Sequence, residues 1–215
     1  SRDEWPLYFL SFFRKGLVYE AHRFSKRRGM FYKRFKSINL KVVVITNRLK
    51  EDFIKIGLNP ENILVAPDGV DLAEFDIHIP KEEARTRVDL PLDKKIVMYT
   101  GHLFEWKGAI VLLEAARKFQ DDVLFVFVGG MDYDVDKFKE KAKGLENVLI
   151  LGHKSHKEIP VYLKSADVLV LPNSDKEEIS RFYTSPLKLF EYLASVRPIV
   201  ARSLSSITEI LNDNN

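Results

Sequence analysis

The 215-residue chain contains no cysteine, so disulfides and thiolate metal sites are excluded and a reducing compartment is permitted. No apolar run approaches the roughly 20 residues of a membrane span, and no signal-peptide pattern is present, which makes the cytoplasm the expected location. An Asp-x-Asp pair with a metal-holding context is also missing. Asp132 and Asp134 have that spacing but follow Gly130 in what reads as a solvated loop, so no metal is expected. The chain shows no recognisable nucleic-acid module, so no nucleic acid partner is expected.

What is present is distributed unevenly. Residues 1–50 carry thirteen Lys and Arg against Asp3, Glu4 and Glu20, whereas the remaining 165 residues carry a net charge of −7 within a total of +3. Ten aromatics between Trp5 and Phe35 interleave with the basic stretch. Such a mixture suits a helix with a solvated basic side, or a peripheral contact with an anionic membrane.

Apolar runs alternate with helical patterns. Leu17–Glu20 reads as a buried strand and residues 24–39 as a basic helix. Lys41–Thr46 is a β-branched strand, Arg48–Ile56 a helix stopped by Gly57, and Ile63–Ala66 a strand. The polar stretch Asp71–Lys81 reads as an irregular connection. A second alternation follows, with strands at 96–100, 124–128, 148–151, 168–171 and 198–201. Helices are expected at about 82–89, 108–119, 134–143, 158–164, from Ser185, and at 207–211. The class is α/β with doubly wound, Rossmann-like parallel sheets. Two domains are expected: a partial one over residues 1–72, and a nearly complete one over 73–215 that lacks its last elements. The pattern is that of a piece from the middle of something larger.

The most informative segment is Ser185-Pro186-Leu187-Lys188-Leu189-Phe190-Glu191. Ser185 is a preferred N-cap and Pro186 suits the first helical position. First-turn amides and the helix dipole then face outward beside Lys188, with Glu191 about one turn deeper. Amides and a cation suit phosphates, and a carboxylate suits ribose hydroxyls. The same residues also fit a capped core helix that buries Leu187, Phe190, Leu193 and Ala194.

Taken in order, four segments resemble the retaining nucleotide-sugar glycosyltransferases of the GT-B fold, glycosyltransferase family 4. They are Ile63–Asp71 (ILVAPDGVD), Tyr99–His102 with Lys107-Gly108, Leu151–His153 with Ala166–Asn173, and Thr184–Ala194. The resemblance covers roughly residues 40–211. It implies transfer of a hexose from a UDP-, GDP- or ADP-sugar to an acceptor hydroxyl on a glycan or lipid-linked molecule, without metal or further cofactor. It makes Lys107 the diphosphate lysine, Glu191 the ribose carboxylate, and the Leu187 and Lys188 amides the phosphate cradle. Gly101 belongs to the donor loop, and Gly152 and His153 would line the base pocket. His22, after a buried strand, resembles a cleft residue near the sugar or acceptor; a surface histidine fits equally.

Two positions depart from the family pattern. The slot that usually holds an arginine before the lysine is His102, which offers one donor instead of a fork, so Arg181 or Arg202 would have to substitute. The position seven residues before Glu191 is Tyr183 where a glutamate is usual, so the contact of that glutamate with sugar hydroxyls does not carry over. A non-catalytic nucleotide-sugar-binding subunit is the alternative function.

Overall fold

The computed structural model of the chain describes residues 1–75, 77–120 and 122–211. Two compact units divide it. The first comprises Ser1–Asp68, Glu178–Ser185 and the segment from Leu204, and the second Gly69–Glu177 and Pro186–Ser203.

In the first unit, β1 (Val18–Ala21), β2 (Lys41–Val44) and β3 (Ile63–Val65) form a parallel sheet in the order β1-β2-β3. The crossovers are the helices Gly29–Ser37 and Asn47–Lys55. The inward residues of β1 and β2, Tyr19, Ala21, Val42 and Val44, are at most 1% exposed, and Ile63 of β3 is 3% exposed. Phe31, Phe35, Leu49 and Phe53 of the two helices complete this core. Thr46 caps the second helix through the Leu49 amide, and its Oγ1 also donates to the Phe182 carbonyl.

That last bond explains why a single boundary at residue 72 does not describe the chain. Residues 178–185 return to the first unit, where the Tyr183 hydroxyl donates to Asp52 at 2.8 Å. The last segment follows, with Ser206 Oγ donating to the Ser180 carbonyl at 3.0 Å. Three short helices absent from the sequence reading are present as well: Glu4–Leu10, Leu72–Phe75 and Glu178–Phe182. The second of these falls within the stretch read as irregular, and it anchors there through Phe75, which is 1% exposed.

The second unit contains β4 (Lys95–Thr100), β5 (Val123–Val128), β6 (Val148–Gly152), β7 (Val168–Leu171) and β8 (Ile199–Ala201), all parallel. Their order is β6-β5-β4-β7-β8. Chain progression therefore reverses direction between β4 and β7, the switch point at which open α/β sheets leave a crevice beyond their carboxyl ends. The opposite end of the same two strands is fixed by charge. Arg85, 3% exposed, donates to the carbonyls of Ser165, Pro91, Leu92 and Lys94 and to the Asp167 carboxylate. Burial alone would raise the Asp167 carboxyl; hydrogen bonds from Lys81, the Ile96 amide and Arg85 outweigh it and bring it down to about 2.

Candidate functional site

The two strand ends that flank the switch point approach each other closely. Gly108 has φ +77°, a conformation that disfavours any side chain, and a Cβ there would lie 1.8 Å from the Pro172 carbonyl oxygen. The turn carrying Lys107 thus rests directly on the carboxyl end of β7. Beside it, Gly101 at φ +116° closes β4 by donating its amide to the Val128 carbonyl at 2.8 Å.

Over this junction lies the Leu187–Ser195 helix. Tyr192, fully buried, holds it there by accepting from the Thr100 amide at 2.9 Å and from the Thr100 hydroxyl at 3.2 Å. Lys188, one residue into the helix, is drawn inward as a result. It is 8% exposed, and its Nζ stands 4.0 Å from the centroid of the Tyr99 ring and 3.4 Å from the position of a Cβ on Gly101. The ring face attracts the ammonium, but no hydrogen-bond acceptor reaches it among the described residues. An ammonium buried with no acceptor is costly, and burial of this kind lowers a lysine's pKa. Burial, reinforced by the charge of Lys107, drives Lys188 well below the ordinary lysine value, with Glu191 acting in the opposite direction. Burial also lowers Lys107. Glu191 is raised by burial against the pull of His156 and Lys188. The Lys188 Nζ, buried with no acceptor among the described residues, leaves room for a negatively charged group such as a diphosphate.

The cap differs from its expected form. Pro186, at φ −75° and ψ 113°, is the non-helical residue before the helix, and Leu187 is the first helical one. The Ser185 hydroxyl is occupied elsewhere, accepting from the Asp68 amide at 2.9 Å in the first unit, so it does not cap the helix. Pro186 contributes its carbonyl, which accepts from the Leu189 amide at 2.8 Å. The amides of Leu187 and Lys188 precede any intrahelical acceptor. Leu187 itself is exposed, so its side chain takes no part in a core.

Gly101, Lys107, Lys188 and Glu191 therefore meet at one strand junction. His102 adjoins them in sequence, but its exposed ring stacks on Phe104 at 4.9 Å and 9°, and Tyr99 donates only to its carbonyl. Gly152 ends β6 at the edge of the sheet, its carbonyl accepting from the Gly129 amide at 2.7 Å, and His153 beyond it is exposed. His22 and Tyr183 belong to the first unit. The His22 ring lies 2.9 Å from Glu20, a carboxylate shared with Arg2, and the Tyr183 hydroxyl is held by Asp52. Neither arginine considered as a substitute for the missing one is uncommitted, because Arg202 pairs with Asp175 at 2.6 Å and Arg181 stacks over Phe182. Asp132 and Asp134 open a helix, Asp132–Lys141, where they favour its positive end, in contrast to the loop expected from sequence. Sequence reasoning missed Tyr99 and Tyr192. The only signal was position, directly at strand ends or beside Glu191.

A doubly wound parallel sheet with lysines gathered at its switch point places the chain in the α/β class of Rossmann type. The chain belongs to the glycosyl transferases group 1 family, whose model matches residues 80–215. It is 27% identical over 188 residues to TuaC of Bacillus subtilis strain 168, assigned as a glycosyltransferase of teichuronic acid biosynthesis, covering 87% of this chain and 44% of TuaC. It is also 27% identical over 176 residues to the Escherichia coli UDP-Gal:alpha-D-GlcNAc-diphosphoundecaprenol alpha-1,3-galactosyltransferase, covering 77% of this chain and 43% of the relative. The chain thus spans less than half the length of these two relatives. Among solved structures it is similar to Anabaena HepE in complex with UDP, with TM-score 0.75 and 20% identity over 95% of this chain and 58% of HepE. Its two parallel α/β units are part of a GT-B glycosyltransferase fold.

Proposed function

We propose that this chain carries the donor half of a retaining, metal-independent hexosyltransferase of family 4 type, acting on a nucleotide diphosphate sugar and an acceptor hydroxyl. The observation that carries the reading is the Lys188 ammonium, buried near Lys107 with no acceptor of its own among the described residues. The complexes of HepE with UDP and UDP-glucose support the same ligand class, as does the galactosyltransferase named above. As the glycosidic bond breaks, negative charge builds on the departing phosphate. Lys107, Lys188 and the first-turn amides of the Leu187–Ser195 helix meet that charge in a site they pre-organise. Glu191 accepts from the ribose hydroxyls, and Gly101 keeps the floor open to a close approach.

Calorimetric titration with UDP, GDP and ADP, followed by an assay for nucleotide released from the matching sugar, tests this reading. Binding of one nucleotide with release from its sugar is the expected result. Binding with no release when an acceptor is supplied favours the non-catalytic module, and no binding of any nucleotide defeats both.

The acceptor side of the proposal is a cytoplasmic enzyme peripheral to the membrane. Trp5, Phe9, Phe12, Phe13 and Met30 are each about half exposed or more, and Arg28 and Arg34 lie over the rings of Phe31 and Phe12. Aromatic faces interleaved with arginine suit an anionic lipid interface. No helix among the described residues is long and apolar enough to cross a membrane. In flotation assays the protein is expected to rise with vesicles containing phosphatidylglycerol and to remain below with phosphatidylcholine alone. Failure to float at low salt removes this contact.

A further inference from the structure

A second polar side chain is stranded at the same junction. Asn173 stands just beyond β7 and is 1% exposed, and neither its Nδ2 nor its Oδ1 has a hydrogen-bond partner among the described residues. Backbone packing fixes its place: a Cβ on Gly108 would stand 1.8 Å from the Pro172 carbonyl oxygen and 3.2 Å from the Asn173 nitrogen. Asn173 is thereby held against the turn that carries Lys107.

Buried amide groups with both ends unpaired are rare in folded proteins, because desolvation goes uncompensated; they persist where something else completes them. What completes them follows from the unmet atoms. Lys188 requires only an acceptor, and ionised phosphate oxygens are acceptors alone. Asn173 requires an acceptor for Nδ2 and also a donor for Oδ1, which an ionised phosphate does not supply. A hydroxyl supplies both. We propose that Asn173 is a specificity-determining residue that hydrogen-bonds a sugar hydroxyl of the donor, next to the diphosphate held by the two lysines. The proposal rests on the donor-site reading above and adds a group that distinguishes the sugar nucleotide from the bare nucleotide.

Calorimetric titration of wild type and Asn173→Ala with UDP and with UDP-glucose tests it, together with thermal unfolding of the unliganded proteins. The variant is expected to bind UDP within about twofold of wild type, and UDP-glucose about ten- to a hundredfold more weakly. Its unliganded melting temperature is expected to be no lower than that of wild type, since the substitution removes two unpaired atoms and no hydrogen bond. Equal weakening toward both ligands overturns the proposal, as does equal retention, the result a trapped water would give. Failure of the wild type to bind UDP defeats the donor-site reading itself and this inference with it. Should Asn173→Ala not fold, Asn173→Ser carries the same comparison, because its hydroxyl both donates and accepts. That variant is expected to lose less UDP-glucose affinity than an alanine would, and wild-type affinity for both ligands would overturn the inference.

Discussion

Replacing either lysine at the β4–β7 junction is expected to cripple the handling of UDP, and Lys188→Met to do so while making the unliganded protein more stable. The ammonium of Lys188 is buried over the Tyr99 ring, has no hydrogen-bond acceptor among the described residues, and is repelled by Lys107 more than Glu191 attracts it. Replacing such a charge by an apolar chain of similar length is often stabilising by about 1–4 kcal/mol, and a methionine sulfur suits an aromatic neighbour. Denaturant titration should report that gain. On the proposed donor-site reading the same change removes a charge-assisted hydrogen bond to the diphosphate, so UDP should bind about ten- to a hundredfold more weakly. Lys107→Ala, which strips a cation from the leaving group, is expected to lower the rate of nucleotide release by about 10²–10³. A variant with near-normal turnover would remove Lys107 from the mechanism. The pH dependence separates the two roles of Lys188. Its folded value lies below the ordinary lysine value, so between the two the unfolded chain binds more protons, and unliganded stability rises with pH across that window. Affinity for UDP runs the other way and falls as pH rises there, because the diphosphate needs the charged form. Lys188→Met should flatten both slopes; a Lys188→Met protein less stable than wild type would show that the ammonium is already satisfied.

The sheets were legible because β-branched and aromatic runs such as Lys41–Val44, Val123–Val128 and Val168–Leu171 leave little choice of conformation. The helix Glu4–Leu10 was not legible, since Trp5, Phe9 and Leu10 stay exposed and break the apolar period that marks a buried face. Nor was the excursion of residues 178–185 into the first unit, which depends on Asp52 and Thr46, partners more than a hundred positions away. At the site, the order of motifs brought Lys107, Lys188 and Glu191 into one reading. What sequence could not supply was burial. The sequence placed Lys188 at an outward-facing helix tip and Asn173 at a strand end, and only the Tyr192–Thr100 bonds and the Gly108–Pro172 packing show that both are turned inward. Tyr183 and Ser185 show the converse, because their hydroxyls are engaged by Asp52 and Asp68 of the first unit.

Gly108→Ala should be among the most destructive single-methyl changes in the protein, and Gly144→Ala provides the measure of why. Both glycines have positive φ, +77° and +81°, so alanine at either meets the same backbone penalty, about 1–2 kcal/mol. They differ in surroundings. No atom of the described residues lies within 4 Å of a Cβ on Gly144, whereas a Cβ on Gly108 meets backbone on all three of its nearest contacts, the carbonyl oxygen and carbon of Pro172 and the nitrogen of Asn173. A backbone carbonyl on a strand end cannot swing aside as a side chain can; the turn or the end of β7 must move. Gly108→Ala is therefore expected to cost about 4 kcal/mol or more in denaturant titration, in the range reserved for changes with a specific steric cause. Gly144→Ala should stop at the conformational penalty. Gly108→Ala should also weaken UDP binding, because separating the turn from Pro172 carries Lys107 away from Lys188. Equal costs for the two substitutions would mean that the β4 turn and the end of β7 give way without resistance, and the junction could not then pre-organise its cations.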